Sequence, residues 1–213
     1  MKSRVKHGLS RVGLFNFLDG MRRLPRTVHY LRSGCSGPAP APIKRQIIKA
    51  YQEFHQLWGF VETGTHLGDT LAFIARDNRI RCCSIELDGE LYRNAKDRFG
   101  NYSNVRVFHG DSGEVLPAII EELSSPTLFW LDGHYSGGVT AKGESDTPVS
   151  KELRTILDSS VKDHVILIDD ARCFDGTNGY PFLDQLLAVV RRQAEYEVEV
   201  SADIIRLTPR KKR

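Results

Sequence analysis

From residue 43 onward, apolar and polar positions follow two alternating periods, and the period changes at glycine or acidic residues. Over Ile43 to Trp58 apolar side chains stand at 43, 47, 50, 54, 57 and 58, close to the 3.6-residue repeat of a helix, and Gly59 ends the run. A short strand is predicted over Phe60 to Glu62, then a helix over Gly68 to Arg76. Strand and helix then alternate: Arg81 to Glu86 with Asp88 to Phe99, and Val105 to His109 with Ser112 to Leu123. Thr127 to Asp132 forms a fourth strand, opening into a glycine-rich loop before a helix over Val149 to Leu157. The fifth strand, His164 to Asp169, carries Val-Ile-Leu-Ile, a run suited to burial on both faces. A helix over Pro181 to Arg192 precedes two last strands, Tyr196 to Val200 and Ile204 to Leu207. Such alternation predicts an α/β fold with a mostly parallel sheet and helices on both faces. The last two strands lie too close in sequence for a parallel crossover and are expected to form an antiparallel hairpin.

Residues 1–42 read differently. A short amphipathic helix is expected over Val12 to Leu24, closed by Pro25, and Ser33 to Pro42 reads as a Gly/Pro linker. The expected organisation is a basic extension and linker over 1–42, a folded domain over 43–208 and a basic tail over 209–213. Charge follows that division: residues 1–45 hold ten Lys/Arg and one acid, residues 46–208 hold 16 Lys/Arg and 26 Asp/Glu, and the last five hold four Lys/Arg. The basic ends suit an anionic surface, or simply a solvated tail. No apolar run reaches the length of a membrane span. The N-terminal apolar stretch is short and lacks a small-residue cleavage site, so it is not read as a secretion signal. Cys35, Cys82, Cys83 and Cys173 show no CxxC spacing and are expected to be reduced, in a cytoplasmic protein.

In a parallel α/β sheet, ligands bind beyond the carboxyl ends of the strands, near the reversal of strand order. The first strand ends Glu62-Thr-Gly64-Thr65-His-Leu-Gly68-Asp-Thr, where two glycines permit a tight turn. The spacing is not the Gly-x-Gly-x-x-Gly that wraps a pyrophosphate. The second ends Ser-Ile-Glu86-Leu-Asp88: Glu86 is placed to accept ribose hydroxyls, while Asp88 reads as a helix cap. The third ends His-Gly-Asp111-Ser112, where Asp111 either accepts from an adenine amino group or caps the next helix. The fourth and fifth end at Asp132 and at Asp169-Asp170. Three carboxylates gathered there repel one another unless a cation neutralises them, and oxygen ligands suit Mg²⁺. The alternative is that some only cap helices or pair with Arg172.

Together, FVETGTHLGDT, SIELD, HGDS, LDGHYS and LIDDAR resemble the class I S-adenosylmethionine-dependent methyltransferases over about Phe60 to Leu207. The resemblance implies a Rossmann-like three-layer sandwich with a seven-stranded sheet. It also implies S-adenosylmethionine (SAM) as cofactor: Glu62, Gly64, Thr65 and Gly68 at its methionine part, Glu86 at the ribose, Asp111 and Ser112 at the adenine, and Asp132 nearby. The two acidic motifs further resemble metal-dependent O-methyltransferases of the macrocin and catechol kinds, which implies Mg²⁺ on Asp132, Asp169 and Asp170. The acceptor would be a hydroxyl of a small molecule or glycan.

One position departs from the macrocin kind. Where a second Asp stands two residues after the first ligand, this chain has His134, whose imidazole can take a hydroxyl proton near neutral pH. Lys142 is the alternative base in the same loop, and Tyr135 and Trp130 read as packing residues. The competing functions are a non-catalytic nucleoside-binding module with basic ends and an NAD-dependent oxidoreductase. The absent third glycine and the terminal hairpin argue against the latter. No Asn/Asp-Pro-Pro-Tyr-like motif points to nucleic acid, and nothing in the sequence speaks to oligomeric state.

Overall fold

The computed structural model describes residues 25–35, 37–133, 148–192 and 195–210. In chain order the elements are α1 (Ala41–Phe54), β1 (Gly59–Thr63), α2 (Asp69–Ile74), β2 (Arg81–Glu86), α3 (Gly89–Phe99), β3 (Val105–His109) and α4 (Ser112–Glu121). They continue with β4 (Thr127–Leu131), α5 (Val149–Leu157), β5 (Val165–Ile168), α6 (Leu183–Arg192), β6 (Tyr196–Ser201) and β7 (Ile204–Pro209). The seven strands form one sheet in the order β3-β2-β1-β4-β5-β7-β6, and only β7 runs against its neighbours. This is the expected architecture, with β7 inserted between β5 and β6. The segment read as helix over Val12 to Leu24 lies outside the described residues. Residues 25–32 are helical, beyond the point where Pro25 was expected to close that segment.

Successive strand residues feed opposite cores, as the pleat requires. Phe60, Leu128, Trp130, Val165 and Leu167 pack with Ile48, Leu71 and Phe99 on the face of α1, α2 and α3. Val61, Phe129, Leu131, Ile166 and Ile168 pack with Leu116, Leu153 and Leu186 on the face of α4, α5 and α6. The adjacent Cys82 and Cys83 split the same way, and neither is in a disulfide. Helix α1 starts inside the expected linker, with a proline at its first turn where no backbone donor is needed, and stops four residues earlier than Trp58. Buried Gln52 fixes its exit by donating from Nε2 to the carbonyls of Leu57 (2.6 Å) and Gly59 (3.2 Å).

The hairpin turn is Ala202-Asp203, with φ of 56° and 65°. Two left-handed residues between paired strands make the turn type whose twist matches the hairpin. Asp tolerates this conformation because its short side chain can bond locally, and here it reaches Arg172.

At the opposite end of the sheet, His164 is 1% exposed, and its Nδ1 accepts the Thr127 N–H at 3.1 Å. The ring proton therefore sits on Nε2, which faces Ser159 Oγ at 3.2 Å. Burial, aided by Lys162, lowers its pKa to about 4. The neutral ring is thus favoured in the fold, so its contribution is complete above pH 6.5 and is lost as pH falls toward about 4. Thermal melts across that window should show a loss of about 3 kcal/mol in the wild type that His164→Gln lacks. Equal pH dependence in both proteins would contradict the neutral assignment.

Candidate functional site

Strand order reverses between β1 and β4, and the backbone ladder continues past the strand ends at this edge. Asp132 N bonds Thr63 O (3.2 Å), Asp169 N bonds Leu131 O (3.0 Å), and Gly110 N bonds Glu86 O (3.0 Å). Gly64 and Thr65 both donate to Ile85 O, at 2.9 and 3.2 Å. These bonds hold Gly64, Asp132 and Asp169 in step along one rim, with Glu86 and Gly110 beside them. Gly64 lies at φ +82°, and a Cβ there would stand 2.6 Å from Asp132 O. Its smallness is what lets β1 and β4 close upon each other.

The acids on the β1–β2–β3 side are held in different ways. Glu62 is 2% exposed; its Oε2 accepts from Ser84 Oγ at 2.9 Å, and Ser84 is in turn 2.6 Å from Thr65 Oγ1. The Thr65 hydroxyl is thus turned into the sheet. Burial raises the Glu62 pKa to about 8 against the opposing Ser84 bond, with Glu86 and Asp69 adding to the rise. Glu86 is buried and ties two loops together: Oε2 accepts the His66 N–H at 2.7 Å and Oε1 the Asp88 N–H at 2.9 Å. Each oxygen retains a lone pair for a further donor. Asp88 caps α3 through the Glu90 and Leu91 N–H groups, as expected. Asp111 caps α4 by accepting from Gly113 N at 2.8 Å, and Ser112 beside it is buried. Gly68, at φ +74°, passes within Cβ distance of the Phe99 ring.

At the β4–β5–β7 side the expected trio is partly rearranged. One oxygen each from Asp169, Asp170 and Asp203 lie within 4.8 Å of one another, and Asp132 is not part of that close group. Asp132 is nonetheless near enough to matter: burial, then Asp169 and Asp170, raise its pKa well above normal, with Lys44 opposing. Asp169 is raised by burial and held back by Lys44. Asp170 adopts φ 54°, a conformation rare outside glycine. Lys44 Nζ lies 2.5 Å from Asp169 Oδ1 and 3.5 Å from Asp170 Oδ1. Arg172 Nη1 pairs with Asp170 Oδ1 at 2.9 Å and also with Asp203 Oδ2. Burial alone would lower the Lys44 pKa; Asp169, Asp170 and Asp132 more than reverse this. Four carboxylates against two cations leave the group short of positive charge. Burial is the main cause of the raised Asp132 and Asp169 pKa values, with neighbouring carboxylates adding to it, and a hard divalent cation suits such a donor set.

A small hollow opens here, lined by Asp132, Gly133, Glu152, Asp169 and Tyr180 among others. Glu152 comes from α5 and is 1% exposed, and burial raises its pKa to about 7, with Ser112 and Thr63 opposing. Thr63 lies close enough to the Glu152 carboxyl to hold its pKa back, yet neither Glu152 Oε1 nor Thr63 Oγ1 reaches the geometry of a full hydrogen bond. Lys44, Glu152, Tyr180 and Asp203 were not singled out from the sequence. For Glu152 a signal existed: it shares the 149, 152, 153, 156 spacing of the buried face of α5. His134, Tyr135 and Lys142 lie outside the described residues.

No protein-family model matches the chain, and no curated protein matches its sequence. Solved structures do match it. A putative caffeoyl-CoA O-methyltransferase from Staphylococcus aureus superposes with a TM-score of 0.60 at 12% identity, over 91% of this chain and 98% of its own. An O-methyltransferase from Bacillus cereus, solved in complex with SAH, gives 0.60 at 14%, over 88% and 90%. An SAH-bound methyltransferase from Podospora anserina gives 0.59 at 13%, over 99% and 100%. The chain has a methyltransferase fold. On this methyltransferase fold the rim from Glu86 through Glu62 and Asp132 to Asp169 runs across the point where strand order reverses, where open α/β sheets take their ligands.

Proposed function

We propose that the chain is a SAM-dependent methyltransferase that methylates a hydroxyl on a small molecule or glycan, with a divalent cation at the acidic group. The observation that carries this is the row of acids at successive strand ends, on a fold whose solved neighbours include SAH-bound methyltransferases. In this reading Glu86 accepts the ribose hydroxyls, its orientation fixed in advance by two backbone donors. Glu62, Gly64, Thr65 and Gly68 hold the methionine part. Asp111 and Ser112 hold the adenine, using the acceptor capacity that Asp111 keeps beside its cap. Asp132, Asp169 and Asp170 hold the metal, with Asp203 supplying a further oxygen. When bound, the cofactor supplies an electrophilic methyl group and the cation supplies Lewis acidity. His134 takes the acceptor proton, and the acceptor lies beside the acidic group, on the side of Glu152 and Tyr180.

Among the described residues no helix is long and apolar enough to cross a membrane. All four cysteines are free, which supports assignment to the cytoplasm. The sequence places the domain at 43–208, and its first helix and last strand extend it to Ala41 and Pro209. Calorimetric titration with SAH and with NAD, each with and without Mg²⁺, tests the function. SAH is expected to bind in the micromolar range, Mg²⁺ to bind in a titration of its own, and NAD not to bind. Preference for NAD would overturn the methyltransferase reading, and no detectable Mg²⁺ binding would count against the metal.

A further inference from the structure

The acidic group at β5 is not a bare cluster, because two cationic side chains already reach into it. They are held differently. Arg172 is clamped: its own backbone N–H donates to Asp203 Oδ1 at 2.9 Å while Nη1 pairs with Asp170 and Asp203. Lys44 arrives from α1, 125 residues away in sequence, on a flexible stem whose side chain is 15% exposed. Among the described residues it makes no other ion pair, and its ammonium lies against both adjacent carboxylates. A divalent ion on Asp169 and Asp170 would sit about 2 Å from those same oxygens. Two cations cannot both stand so close to Asp169 Oδ1 without strong repulsion.

We propose that Lys44 is a tethered competitor for the cation site: its ammonium holds Asp169 and Asp170 together, must swing aside for a divalent ion to enter, and so sets the metal affinity of the protein. The stem permits this, since four rotatable bonds and a partly exposed course give the ammonium somewhere to go. The inference rests on the metal part of the proposed function and not on its cofactor part.

The test is Mn²⁺ titration of the full chain, followed by paramagnetic resonance of the free ion, for wild type, Lys44→Met and Lys44→Arg. Lys44→Met is expected to bind Mn²⁺ at least about tenfold more tightly than wild type, and Lys44→Arg no more tightly. Equal or weaker binding by Lys44→Met overturns the proposal. So does failure of all three proteins to bind, which removes the metal reading as well. SAH titration of the same samples reports separately on the cofactor. Should Lys44→Met not fold, wild type labelled with ¹⁵N-lysine answers the question. The ion-paired ammonium gives a slowly exchanging signal, identified by its absence in Lys44→Arg, and saturating Mg²⁺ should abolish it. Persistence of that signal at saturation overturns the proposal.

Discussion

Gly64→Ala is expected to lose about 3–4 kcal/mol of stability, enough to lower the melting temperature of a chain this size by roughly 6–16 °C. Two independent costs add. At φ +82° an L-residue bears the left-handed penalty of about 1–2 kcal/mol. The new Cβ would also stand 2.6 Å from Asp132 O, a backbone atom held in the ladder by the Asp132 N to Thr63 O bond. Nothing flexible can yield, so the ends of β1 and β4 must part. Gly34→Ala separates the two costs: its φ is +71° but nothing lies within 4 Å, so it should lose only the first. Thermal melts of both variants check this, and equal losses would show that the approach to Asp132 is not tight. SAH affinity should fall with Gly64→Ala and not with Gly34→Ala.

Glu62 and Glu152 set the second large effect, and its sign is the opposite of the usual acid. Their folded pKa values, about 8 and about 7, lie above the ordinary 4.5, so the folded state favours the protonated carboxyl. The stability they allow is complete below pH 4.5 and declines as pH rises through about 7 for Glu152 and about 8 for Glu62. Glutamine copies the protonated form without the titration. At pH 9 and without ligand, Glu152→Gln should therefore gain about 3 kcal/mol and Glu62→Gln about 5 kcal/mol, both gains vanishing near pH 4.5. Calorimetric melts at the two pH values measure this. A gain that does not depend on pH would place its origin in packing rather than charge. Glu62→Gln should at the same time weaken SAH binding, since a site tuned for a ligand is commonly bought with stability.

The strand ends were legible in the sequence because each apolar run finished on an acid or a glycine, and the sheet brings those positions to one edge whatever packs around it. The terminal hairpin was legible for a similar reason: too few residues separate Val200 from Ile204 for any other connection. What the pattern could not give was the partner set. Lys44 sits in a basic run and looks like one more solvated charge; only the packing of α1 brings it to Asp169. Asp203 reads as an ordinary turn residue until β7 is seen to pair with β5, which brings the turn next to Asp170. Glu152 was hidden for another reason. A charge within an amphipathic helix is assigned to the outer face by default, although its spacing here put it among Val149, Leu153 and Ile156.

The insertion of β7 between β5 and β6 also governs when the acidic group can exist at all. During synthesis the first five strands can pair as they emerge, yet Asp170 and Arg172 have no Asp203 to meet until the final hairpin has left the ribosome and slotted into the sheet. A nascent chain released before that point would carry a nearly whole nucleoside edge and an unfinished ion site, so maturation of the two halves is separated in time by the order of translation.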